Sequence, residues 1–175
     1  MSAIATPAAQ APEGYRTGRV VGLASTAALG GFLFGFDSSV INGANSAIAA
    51  EFNLSSGVMA FVVSIALIGS AVGAWFAGQL ADHFGRRRVM LIAAVLFAVS
   101  AVGTAFPPSV EVLMMWRLIG GAGIGVASVV APMYIAEIAP AKLRGRLGSM
   151  QQLAIVLGIF TTGVTNWAIV EAAGG

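Results

Sequence analysis

Two ionisable residues stand inside otherwise apolar stretches: Asp37 in "GGFLFGFDSSV" and Arg117 in "MMWRLIGGAGIG". An ionised carboxylate at the centre of a bilayer costs on the order of 2.5 to 3.5 kcal/mol even on a lenient insertion scale. Such a group needs a partner, a watery cavity or a proton. An arginine and an aspartate brought together would compensate each other, and a proton could take the arginine's place as the counterion. The chemistry on offer is therefore ion pairing and proton exchange within a membrane. The structural alternatives are a tie between two helices or a buried helix break at the Gly-Phe-Asp-Ser-Ser step.

Other chemistries find no support. No serine has a histidine placed to activate it, no His/Asp/Glu cluster has metal-ligand spacing, and the chain has no cysteine. His83 falls in a basic loop and is expected to be solvated. The run "GGAGIG" resembles a nucleotide-binding loop, but no strand precedes it and it lies within an apolar span. An enzyme is not expected, and neither a metal nor an organic cofactor is called for; a proton is the only small ion with a candidate site.

The elements that must position Asp37 and Arg117 follow from composition. Of the 175 residues, 58% are hydrophobic and only 9% charged, too few ionisable groups to cover a soluble globule of this size. An all-α integral membrane protein is expected. Residues 1–18, polar and rich in Ala and Pro, read as a disordered tail. Residues 19–170 hold five apolar segments, at about 20–50, 58–80, 89–106, 110–138 and 147–170, each near or above the roughly 20 residues that a helix needs to cross a bilayer. Residues 171–175 form a short end on the far side.

Charge sets the orientation. Arg16 and Arg19 precede the first segment, Arg86, Arg87 and Arg88 follow the second, and Lys142, Arg144 and Arg146 follow the fourth. These are eight of the nine Lys and Arg residues, and alternation of five spans puts them all on one side. By the positive-inside rule that side is the cytoplasm, so the N-terminus is expected inside and the C-terminus outside. The net charge of +2 thus reads as membrane topology and not as a nucleic-acid surface.

Depth can now be counted. From an inner start near Val20, Asp37 lies about 17 residues along, or roughly 25 Å at about 1.5 Å per residue. From an outer start near Val110, Arg117 lies about seven residues, or roughly 10 Å, down. In a hydrocarbon core about 30 Å thick both fall in the outer half, within a few ångströms of one level. They are expected to pair. The spacings Gly69-x-x-x-Gly73 and Gly121-x-x-x-Gly125 are expected to let helix backbones approach closely.

Four further motifs complete the pattern: "GQLADHFGRRR" (78–88), "RLIGGAGIGVAS" (117–128), "PMYIAEIAPAKLRGRL" (132–147) and "QQLAIVLGI" (151–159). Together with "GGFLFGFDSSVINGA" they resemble the sugar porter family of the major facilitator superfamily, in the family's order, over its first five helices. The resemblance implies an incomplete N-terminal half-bundle and transport of a hexose or pentose by alternating access. The composition, rich in Ala and Gly with few Lys, reads as that of a bacterial inner-membrane protein, so a multi-pass protein of the inner (plasma) membrane is expected. In proton-coupled members the aspartate of an "FGYD"-like motif is protonated; here it is Asp37, with Arg117 matching its fourth-helix partner. Facilitative members commonly carry asparagine there, so aspartate favours symport over uniport.

Gln152 matches a sugar-binding glutamine and Phe34 an aromatic position near the sugar. Some members carry a second glutamine seven residues on, where this chain has Ile159. Asp82, Arg86, Arg87, Arg88, Glu137 and Arg144 match the charges that tie the cytoplasmic helix ends together when the inside is closed. Twelve helices make the family's complete cavity, so further helices or a complementary chain are needed beside the sugar and the bilayer. A truncated or split-gene product that only associates with a complementary half is the reading from another class.

Overall fold

The computed structural model describes residues 17–140 and 143–172. Apart from Thr17 and Gly18, the tail expected over residues 1–18 lies outside them, as do the basic residues Arg16 and Lys142. The described residues form five helices: α1 (Thr17–Glu51), α2 (Ser56–Phe84), α3 (Arg86–Ala105), α4 (Val110–Ile138) and α5 (Arg144–Ala172). Helices α2 to α5 are each long and apolar enough to cross a membrane.

Local chemistry sets the ends. The hydroxyl of Ser55 accepts from the Val58 amide at the start of α2, and that of Ser109 accepts from the Val112 amide at the start of α4. Glu111 adds a negative charge to the first turn of α4, where the helix dipole favours it. Between α1 and α2, Asn53 takes φ +50°, the left-handed turn conformation that asparagine tolerates. Helix α2 runs past its apolar stretch through Asp82 and His83 until Gly85. At φ +83° that glycine ends one helix and starts the next, its amide donating to the Ala81 carbonyl at 3.0 Å.

Helix α4 is the hub. It packs along α2 on one side and α3 on another, and it meets α1; α1 in turn packs along α5. Water supplies no hydrophobic drive between helices in lipid, so close packing of small residues must hold such pairs together. The α2–α4 contact is reciprocal. A Cβ on Gly69 or Gly73 would collide with the backbone carbonyls of Leu118 and Ala122, and one on Gly121 or Gly125 with those of Ala66 and Ser70. The two glycine spacings therefore face each other across one interface.

Buried Ala77, Ala81, Val89, Ala93, Val126 and Val130 form a core among α2, α3 and α4. Near the other end Met59, Val62 and Leu113 cluster against α1. Trp75, Phe106, Phe160 and Trp167 lie exposed on the outside, an apolar surface suited to lipid.

Candidate functional site

Helices α1 and α4 bring Asp37 and Arg117 together. Arg117 Nη1 donates to both carboxylate oxygens, at 3.2 and 3.4 Å. The arginine is 6% exposed and the aspartate 23%. Only one guanidinium nitrogen engages, and Arg117 Nε is sealed in the interior without a hydrogen-bond partner. The pair is thus not the parallel two-nitrogen fork that makes Arg–carboxylate contacts strongest. It holds two charges in register while leaving the arginine incompletely satisfied.

The adjacent backbone is tied down. Thr162 of α5, fully buried, donates to the Phe36 carbonyl at 3.2 Å and to its own Gly158 carbonyl at 3.0 Å. This interhelical bond reaches the residue next to Asp37. Helix α5 also carries Ser149, Thr161 and Thr165, and nothing in the sequence marks Thr162 out from them.

A cavity of about 890 Å³ lies among α1, α3, α4 and α5. That is within the range of roughly 300 to 1,000 Å³ typical of small-molecule pockets. Phe34 and Gln152 both line it, along with Gln151, Ile155, Phe97 and Ser128. The wall is chiefly apolar; its polar members are Gln151, Gln152, Ser128, Tyr134, Arg87 and Arg144. Pro132, also in the wall, has no N–H to give the Ser128 carbonyl four residues earlier. Ile159 does not line the cavity. Gln151 was not singled out from the sequence, where nothing distinguishes it from a helix-packing glutamine.

At the end of the bundle that carries the α2–α3 and α4–α5 connections, Arg86 bridges two helices. It pairs with Asp82 at 3.1 Å and with Glu137 at 2.5 Å, linking the start of α3 to the ends of α2 and α4. The two carboxylates are 74% and 51% exposed, so each bond alone contributes little. Arg87 and Arg144 instead line the cavity, and Arg88 is exposed. Among the described residues none of these three forms a salt bridge, so the charge network is narrower than the six-residue grouping. Successive residues on a helix point about 100° apart, and only one of three neighbouring arginines can face Asp82 and Glu137.

Comparison with known proteins gives one consistent result. The family model described as "Sugar (and other) transporter" matches residues 23–174. A glucose transport protein of Synechocystis is 54% identical over 87% of this chain and 33% of its own length. A galactose-proton symporter of Escherichia coli is 47% identical over 76% of this chain and 29% of its own. The structure of the proton:xylose symporter XylE bound to 6-bromo-6-deoxy-D-glucose superposes with a TM-score of 0.84 at 37% identity. It covers 92% of this chain and 39% of the symporter. The chain spans about a third of the length of the curated relatives that it matches. It is a multi-pass integral membrane protein, and it belongs to the sugar transporter family of the major facilitator superfamily.

Proposed function

We propose that these five helices are the N-terminal part of a plasma-membrane sugar–proton symporter, with Asp37 as the proton site and Arg117 as its alternate counterion. The observation that carries this reading is the ion pair between buried Arg117 of α4 and half-buried Asp37 of α1, in a bundle whose cavity is lined by two glutamines. Protonating Asp37 removes its charge and frees Arg117 from it. A conformational change that alters the Asp37 to Arg117 distance must then alter proton affinity, and each tenfold change in that affinity is worth about 1.4 kcal/mol of coupling. Gln152 would meet sugar hydroxyls, since an amide both donates and accepts without a charge to desolvate. Phe34 would give the ring an apolar face.

The end bearing Arg86 is the cytoplasmic one in this reading. There Arg86, Asp82 and Glu137 bias the closed state, while Arg87, Arg88 and Arg144 are held ready for the rest of the transporter. That remainder, from the same polypeptide or a complementary chain, completes the cavity; no cofactor beyond the proton is invoked, and no reaction is catalysed. The relatives named for proton symport support coupling over uniport.

The test is a chimera in which residues 22–172 replace the matching segment of the Synechocystis glucose transport protein. In proteoliposomes, symport predicts that an inward proton gradient drives accumulation of glucose above its outside concentration. Uptake that only equilibrates, with or without the gradient, would establish the facilitative reading instead.

A further inference from the structure

Gln152 has a neighbour with a stronger structural claim on a ligand. Gln151 is 9% exposed and lines the same cavity. Among the described residues its amide makes no hydrogen bond. It is not sealed either: among the described residues, the buried polar side-chain atoms cut off from any partner are Asn45 Oδ1 and Arg117 Nε. The open space that the Gln151 amide touches is therefore the cavity.

Gly31 of α1 sits so close that a Cβ there would lie 3.2 Å from Gln151 Cγ and 2.9 Å from its backbone oxygen. Helix α1 thus approaches the base of the Gln151 side chain closely at Gly31, which leaves no room there for a larger residue. Gln151 and Gln152 leave the helix about 100° apart, so their amides approach the cavity from two directions.

We infer that Gln151 is a second hydroxyl-binding amide for a neutral sugar, a specificity-determining residue that supplies on α5 a polar contact where Ile159 offers none. The inference rests on the proposed reading of the cavity as a sugar site. A buried amide left unpaired is destabilised, and a site built to hydrogen-bond a hydroxyl discriminates against an analogue lacking it. The lining holds two neutral amides and no carboxylate, with Arg87 and Arg144 as its charged members; such a wall does not suit a cationic substrate, and its amides suit the hydroxyls of a polyol.

The test uses the chimeric transporter and measures KM and maximal rate for D-glucose and its series of monodeoxy analogues. The variants are Gln151→Leu, the milder Gln151→Asn and, as a reference, Gln152→Leu. The expected result is a rise of about tenfold in the glucose KM of Gln151→Leu, equivalent to about 1.4 kcal/mol, with the maximal rate retained. One monodeoxy sugar, lacking the hydroxyl that Gln151 binds, should show the same KM in parent and variant. Should Gln151→Leu fail to fold, Gln151→Asn must show the same sugar-specific pattern at smaller size.

A KM unchanged in both Gln151 variants, or raised equally for every sugar, would overturn the inference in favour of helix packing. If Gln152→Leu alone raises KM, only the inference about Gln151 falls. If neither glutamine matters, the reading of this cavity as the sugar site falls with it.

Discussion

At the scale of single residues, buried Arg117 and half-buried Asp37 form an incompletely bonded pair, with one guanidinium nitrogen on the carboxylate and Nε without a partner. Removing one member of a buried pair leaves an uncompensated charge, at a cost of about 3 to 5 kcal/mol, whereas removing both can be nearly neutral. Arg117→Gln should therefore lower the thermal stability of the chain in detergent sharply, and Asp37→Asn with Arg117→Gln should recover most of the loss. Melting curves followed by size-exclusion chromatography check this, and additive losses in the double variant would argue against a direct pair.

Thr162→Val keeps the shape and removes the bond to the Phe36 carbonyl, so a smaller loss of about 0.6 to 1 kcal/mol is expected in the same assay. The pairing of Asp37 with Arg117 was legible by counting helix rise from the segment ends, because rise fixes depth. Thr162 and Gln151 were not legible. Their significance lies in which helix they face, and a sequence apolar on every side carries no mark of that.

At the scale of elements, α4 owes its central place to having small residues on more than one face. Gly121 and Gly125 meet α2, while Gly120 lies against Ser100 of α3 and Gly123 against the Ala93 carbonyl. Gly121→Val would drive a branched side chain into the Ala66 carbonyl, and overpacking of this kind costs roughly 1 to 3 kcal/mol. The variant should yield much less folded protein than Gly78→Ala, whose added methyl meets open space. Comparing monodisperse yield of the two checks the interface.

The glycine spacings marked contact faces in the sequence, and the apolar runs marked the helices. Which face met which helix could not be read, because lipid-facing and protein-facing sides are equally apolar. Nor could Arg86 be told from Arg87 and Arg88 until the start of α3 fixed its phase against Asp82 and Glu137.

At the scale of the whole molecule, orientation and coupling are the properties to test. The chain has no cysteine, so single introduced cysteines report accessibility without background. With the basic end in the cytoplasm, Asn53→Cys should react with a membrane-impermeant maleimide added to intact cells, and Gly145→Cys only after permeabilisation. The reverse pattern would invert the proposed topology.

The chain spans about a third of its relatives' length, so the five helices expressed alone are expected to insert without transporting. Coupling itself is decided by Asp37→Asn in the chimeric transporter, assayed for both glucose counterflow and proton-driven accumulation. Counterflow should persist while accumulation against the glucose gradient disappears. Accumulation that survives the loss of the Asp37 carboxyl would contradict its assignment as the coupling site.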